Sequence, residues 1–433
     1  MTSTEEGRTS GVRARWLPSG ELWKHPDFLR LWGAESMSLF GSEITVLAFP
    51  LLAINLLDAS VAQIGYLVAA ETAPFFFCSL LAGVWVDRQP RRPILIVADI
   101  VRAGLLLSVP VAAWLGVLRI EQMYAVAFIT GTLLVFFEIA HYAYVPALVG
   151  REQVVEANSK LQISHSAAEA GGPGVAGLLI QAVSIPVALV IDAVSFMISA
   201  ILLRNIRTPE PPIERADPIS ARAIRQDVMA GMRMLLGHHL LRPIVLASIG
   251  ATVFLQAITT LYIVYATRDL DISPFVLGLI FTAGGVGSIP GALLSTPVAR
   301  RFGVGPAIVG GWFVYAATWL LVPLVTGWYA PAILAFGMLL GGVTLTIYNI
   351  QQWSLRQLVT PDELQGRVTA SHRFLVYGAK PFGALLGGAL GATIGLRPAI
   401  TLCALAGLAA PLWLAFSPLR HLREQPTDVD QGA

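Results

Sequence analysis

Three glycines, Gly172, Gly174 and Gly177, stand in the spacing G-x-G-x-x-G, and Asp192 follows the first of them by 20 residues. Between a strand and a helix of a soluble sheet, that pattern cradles a dinucleotide and sets the acid on its ribose. The same half of the chain carries acids of a different promise. Glu35, Glu43, Glu71, Glu138 and Glu169 are embedded in long apolar runs, with His141 three residues after Glu138 and His165 four before Glu169. A carboxyl held in partly dry surroundings can exchange a proton near neutral pH or face a cation. Which chemistry applies depends on the elements that carry these groups.

Those elements are apolar. Hydrophobic residues make up 55% of the chain and charged ones 13%, about half the charged share of a globular protein (roughly 25%). So little charge cannot cover a water-facing surface. A crossing of the bilayer takes about 20 apolar residues as a helix. Twelve such segments are legible: roughly 28–57, 61–86, 93–118, 121–148, 157–182, 185–204, 243–267, 273–298, 304–326, 329–355, 366–392 and 396–417. The fold class is therefore an all-α membrane protein of twelve transmembrane helices in two six-helix bundles. A polar, Pro- and Arg-rich linker at 205–242 joins bundle 28–204 to bundle 243–417, with tails at 1–27 and 418–433. No cleavable signal peptide is visible in 1–27.

Basic residues orient the chain. Arg88, Arg91, Arg92, five linker arginines, Arg300, Arg301, Arg420 and Arg423 fall on one side, against Arg119, Arg268 and Arg397 on the other. By the positive-inside rule both tails and the linker face the cytoplasm. A net charge of +2 gives no support for a nucleic-acid partner. Cys78 and Cys403, isolated in apolar runs, suit neither a disulfide framework nor a metal site. Neither a G-x-x-x-x-G-K-[ST] loop nor H-E-x-x-H occurs, so ATP hydrolysis and zinc-dependent catalysis find no footing. An enzyme is not expected. No cofactor is expected either.

The two bundles echo each other: "IGYLVAAETAPFFFCSLLAGVWVDRQPRR" aligns with "LGLIFTAGGVGSIPGALLSTPVARRFGVG", and "LVGREQVVEANS" with "LVTPDELQGRVTAS". Parallel six-helix repeats are a transporter architecture, with the substrate site near the midplane between the halves. At this point the chain resembles the major facilitator superfamily over nearly its whole length. The loop "GVWVDRQPRRPIL" is similar to the family's motif between helices 2 and 3 at Gly83, Asp87, Arg88, Arg91 and Arg92, with Pro90 where the motif usually has glycine. "FLRLWGAESMSLFGSEI", "LVGREQVVEANS" and "RQDVMAGMRMLLGHHLLRPI" resemble a bacterial efflux branch that includes enterobactin-exporter-like and macrolide-efflux proteins. The segment "AGGPGVAG" resembles the Gly-Pro motif of helix 5 in proton antiporters at Gly172, Pro173 and Gly177, with Ala176 in place of a glycine. It falls inside an apolar span with no strand before it, so it reads as a hinge and packing site.

The resemblance implies that helices 1, 4, 7 and 10 line a central cavity. Glu43, Glu138 and Glu35 would then face it as proton-coupling or cation-facing groups, with His141 sharing the Glu138 proton. A neutral carboxyl that only binds another helix is the alternative for each. Tyr348, Asn349, Gln352, Gln256 and Phe136 are the candidate cargo contacts. Arg373 and Lys380 are candidate counter-ions for first-half acids or for an anionic cargo, with a snorkelling or paired structural charge as the alternative for each. Spacing makes Asp99–Arg102 and His165–Glu169 local pairs. The expectation is a monomeric inner-membrane exporter of small amphiphilic cargo (drug, macrolide or siderophore class), driven by the proton gradient. Uptake, lysophospholipid flipping and ligand sensing without transport stay open as alternatives.

Overall fold

The computed structural model describes residue 20 and residues 22–210 and 221–424; the rest of both expected tails and of the linker lies outside the described residues. The first half consists of α1 (Pro26–Leu56), α2 (Val61–Val86), α3 (Arg91–Trp114), α4 (Ile120–Val149), α5 (Val154–Ala182) and α6 (Ile185–Arg204). A linker helix, α7 (Ala221–Gly237), follows. The second half holds α8 (Leu241–Arg268), α9 (Pro274–Phe302), α10 (Val304–Thr318), α11 (Ala330–Val359), α12 (Gln365–Gly378), α13 (Lys380–Ile394), α14 (Leu396–Gly407) and α15 (Ala409–Ala415). Among the described residues there is no strand. Helix α7 is a finding; composition alone suggested only a polar linker.

Among the described residues, eleven segments are long and apolar enough to cross a membrane. Two of them, each read as one span from the sequence, are broken in mid-course. Pro381 follows Gly378 and Ala379 and divides α12 from α13, and Pro411 lies just beyond the division of α14 from α15. Proline lacks the N–H that would carry the ladder through. The segment that falls short of the apolar criterion is α5, whose first half contains Glu156, Lys160, His165 and Glu169. It packs in the bundle between α1 and α9 all the same.

Chain direction alternates, so the start of α1, the end of α6, the start of α8 and the end of α15 share one end of the bundle, called here the linker end. At the opposite, far end the two halves repeat a small device. Asp58 and Asp271 each take a positive φ (45° and 51°), which aspartate tolerates better than most residues. Two residues on, Ser60 and Ser273 cap α2 and α9 by accepting from the N–H of Gln63 and Val276. Five residues after each serine comes a glycine, Gly65 or Gly278. Both sit where a helix of one half crosses a helix of the other. A Cβ on Gly65 would lie 2.7 Å from the Gly388 Cα of α13, and one on Gly278 would meet the Pro173 carbonyl and, at 3.2 Å, the Gly177 Cα of α5. These crossings, with Arg268 bonding Asp58 at 2.8 Å, hold the halves together at the far end.

The linker end is built differently. Pro90 offers α3 no side-chain cap, and the carboxylate of Glu210 takes that place, accepting from the N–H groups of Arg91 and Arg92 at 2.8 and 2.6 Å. A carboxylate at a helix N-terminus satisfies orphan donors and complements the dipole. Asp27 likewise accepts from the N–H groups of Arg207 and Thr208. The start of the linker is thus tied back to the first half. Helix α7 docks on α12 instead, where Asp227 pairs with Arg367 at 3.0 Å and Gly231 lies against the Arg367 backbone.

Replacing Gly65 with valine forces α2 off α13. In a chain with Cys78 and Cys403 changed to alanine, a cysteine at Val61, which packs on Gly391 at this seam, is expected to react faster with a membrane-impermeant maleimide in the Gly65→Val variant. Unchanged labelling together with an unchanged unfolding temperature would show that the crossing is loose.

Candidate functional site

Between the halves lies a cavity of about 540 Å³. Glu43 of α1 and Glu169 of α5 line it from the first half, and Ser288, Tyr315, Thr346 and Asn349 from the second. Among the described residues, none of those lining it is basic. Its volume falls in the range of sites for drug-sized molecules, about 300–1,000 Å³. Much of its second-half wall is glycine, at Gly284, Gly285, Gly337, Gly341 and Gly342.

Helix α5 positions Glu43 as well as Glu169. Gly172 faces α1 so closely that a Cβ there would lie 2.5 Å from the Glu43 Cγ. Farther along, Gly174 faces Thr282, and Gly177 meets the Pro274 backbone of α9. The G-x-G-x-x-G spacing is therefore a contact surface. It accommodates an acid on one side and the other half of the protein on the next. Pro173, in mid-helix, turns its carbonyl toward Gly278.

Most of the remaining first-half acids are engaged; Glu71 of α2, partly buried, enters none of the ion pairs among the described residues and does not line the cavity. Glu35 is buried, and its carboxylate lies 3.0 Å from His141 Nε2 and 3.9 Å from His165 Nε2. His141 stacks on Phe137. Sequence spacing had His141 sharing a proton with Glu138 and His165 pairing with Glu169; in the structure both imidazoles turn to Glu35. Glu138 instead reaches across the halves to Arg373 of α12, at 3.2 Å. Arg373 also lies near the rings of Tyr142 and Tyr377, in a separate cavity of about 160 Å³. Asp99 accepts from Ser199 at 2.5 Å and lies 4.0 Å from Arg102. Asp192, once a candidate ribose acid, accepts from Thr45 and Ser195.

The expected cargo contacts part company. Asn349 is exposed to the large cavity. Tyr348, one residue earlier, is turned about 100° away; it is buried, bonded to Ser248 at 3.0 Å and packed on Trp312. Gln352 is buried. Gln256 packs against Gly383 of α13, and Phe136 meets Trp85 edge-on. None of these last four lines the large cavity. In the loop after α2, Asp87 and Arg88 are exposed. Arg92 donates to the Leu203 and Arg204 carbonyls, inside its own half, and a Cβ on Gly83 would meet open space. Glu210 is a participant that sequence reasoning missed, its one signal being an acid in an otherwise basic linker start, and Glu169 and His165 entered that reasoning as a local pair.

Two helical halves with a cavity between them and charged groups turned inward define a multi-pass membrane transporter. The Major Facilitator Superfamily profile matches residues 31–380 and 265–431, and the chain belongs to that family. Its fold and family are those of transporters rather than enzymes. The chain is similar to the enterobactin exporter EntS of Salmonella typhi (25% identity, covering 97% of this chain and all of the relative). It is also similar to the multidrug efflux pump Tap of Mycolicibacterium fortuitum (26% identity, covering 89% and 93%). A bacterial homologue of the iron transporter ferroportin in an inward-facing state shares the fold, with a TM-score of 0.71 over 90% of this chain and 97% of that one, at 16% identity.

If Glu138 and Arg373 stabilise one another, their neutral variants will not be additive. Unfolding temperatures of Glu138→Gln, Arg373→Gln and the double variant in detergent should give a double variant about as stable as the worse single one. Strict additivity would remove the pair as a link between halves.

Proposed function

We propose that this protein is a proton-coupled exporter of small amphiphilic molecules in a bacterial inner membrane, acting as a monomer with both termini cytoplasmic. The observation that carries the reading is the pair of carboxyls, Glu43 and Glu169, facing one large cavity without a basic partner among its lining residues. An embedded acid costs about 2.5–3.5 kcal/mol on insertion scales unless paired, protonated or functional. Glu35, Asp99, Asp192 and Glu138 have partners; Glu71 has no ion-pair partner among the described residues but stands outside the cavity, and these two face it. A proton bound there, or a cationic cargo, meets the same need, and competition between the two makes an antiporter.

Energy comes from the gradient, with no cofactor. One charge crossing 100 mV supplies about 2.3 kcal/mol, and each pH unit about 1.4. Together these sustain a cargo gradient of several hundredfold per proton. Export as the direction draws on the efflux relatives and on the Gly-Pro segment of α5. Glu35 with His141 forms a second, buried proton-holding pair, and Asn349 remains the polar cargo contact of choice on the second half. With the linker end cytoplasmic, far-end closure describes the inward-facing state, in which Asp87 is free to engage the second half on switching.

The test is reconstitution into liposomes with an imposed pH gradient and an internal pH dye, adding candidate cargoes singly. Cargo-dependent proton flux is expected, and Glu43→Gln should abolish it. Gly172→Ala should lower it at least tenfold, because a methyl group there displaces the Glu43 side chain. Cargo movement that ignores the gradient in the wild type would leave a uniporter or lipid flippase. Binding without movement would leave a sensor.

A further inference from the structure

The second half contains a charge that the cavity does not use. Arg356 lies on α11 near the linker end and is only 6% exposed. From Ile272 to Pro361 the sequence holds no acidic residue, and none of the ion pairs among the described residues includes Arg356. Its Nη1 is buried without a hydrogen-bond partner among the described residues. Lysine in this position could shed its proton; arginine does not. A buried, unpaired guanidinium is among the more expensive groups a protein can hold, at several kcal/mol.

Its surroundings include further polar atoms without hydrogen-bond partners among the described residues. Gln352, one turn earlier on the same face of α11, is 8% exposed and has a buried Oε1 without a partner. His372 of α12 lies within electrostatic range of Arg356, and its Nε2 is buried with no hydrogen-bond partner among the described residues. Tyr348, a turn beyond Gln352, has its hydroxyl engaged by Ser248. A fixed positive charge, an amide one turn away on the same helix and an imidazole nitrogen within electrostatic range are thus found in one region of α11 and α12. An amide can present either its oxygen or its nitrogen to one place by rotation.

We infer that Arg356, Gln352 and His372 form a binding site for a small anion, a carboxylate or an inorganic ion of similar size. The guanidinium supplies the charge and a planar pair of donors, the geometry that suits a carboxylate. His372 in its Nε2–H tautomer and the Gln352 amide supply further donors. The site is separate from the Glu43–Glu169 cavity, none of whose lining residues it shares. It does not rest on the export reading, because its ligand binds whether or not cargo moves.

The test measures thermal unfolding of the purified full chain in detergent. Ionic strength is held constant with sodium gluconate, an anion too bulky for a buried site, while acetate, chloride or phosphate is titrated in. The expected result is a saturable rise of a few degrees with at least one of the three, lost in Arg356→Met. Should that variant fail to fold, Arg356→Lys replaces the planar fork with a single nitrogen donor and is expected to need about tenfold more anion for half the rise. Response to acetate alone assigns the carboxylate of an organic solute; response to chloride or phosphate assigns a free inorganic ion; either supports the site. An unfolding temperature indifferent to all three anions, or the same rise in Arg356→Met, overturns it and leaves Arg356 solvated by water alone.

Discussion

Two helices touch backbone to backbone only where neither presents a side chain, and this protein satisfies that condition at two equivalent places. Gly65 against Gly388 and Gly278 against Gly177 join the halves at the far end, and the position of the cavity follows from them. Within a bilayer there is no hydrophobic gain from helix association, so close packing and polar contacts carry it. Each dispersion contact is worth only about 0.1–0.2 kcal/mol. Such a seam is tight in sum yet can part without exposing an unpaired charge. A seal of buried ion pairs would have to break several at once. Only the exposed Asp58–Arg268 pair and the mid-depth Glu138–Arg373 pair span the halves as ion pairs among the described residues.

Below the crossings, embedded charge is sorted by partner. Acids bound inside the first half, Asp99 and Asp192, add to its rigidity through Ser199, Thr45 and Ser195. Glu138 contributes to the contact between halves. What remains is the cavity pair, with Glu71 of α2 outside the cavity. The repeat sharpens the contrast: Glu169 stands eight residues before the seam glycine Gly177, and Lys380 eight before Gly388. The same framework position carries opposite charges in the two halves. Glu169 lines the large cavity, whereas the Lys380 ammonium lies over the Tyr377 ring, 4.7 Å from its centre. The asymmetry of function therefore rests on side chains, with the backbone plan shared.

The fold was legible because its signal is long: a run of twenty apolar residues survives almost any local irregularity. The breaks inside the last two spans were not, since one proline in an apolar run either bends a helix or divides it. Site residues were less legible, for a definite reason. A helix that is apolar all round has no polar face to announce its rotation. Tyr348 and Asn349 are adjacent in sequence yet point to different places, and only one lines the cavity. Pairing failed in the same way. Spacing of three or four residues suggested Glu138 for His141 and Glu169 for His165, but such rules describe neighbours on one helix. The actual partner of both imidazoles, Glu35, belongs to another.

The glycine motif of α5 shows how one short segment joins the seam to the chemistry. Gly172 receives the Glu43 side chain and Gly177 receives the backbone of α9. Five residues of helix separate them, about 7.5 Å of rise. A helix segment that short moves nearly as a unit, so a shift of α5 at the seam changes the space left to Glu43. Reciprocally, a change in the size or hydration of that carboxyl acts on the packing of the crossing. Coupling between sites needs an element with two arrangements that both sites bias, and α5 touches both. Under the proposed export cycle, the residues that looked like a nucleotide cradle are where protonation and opening meet.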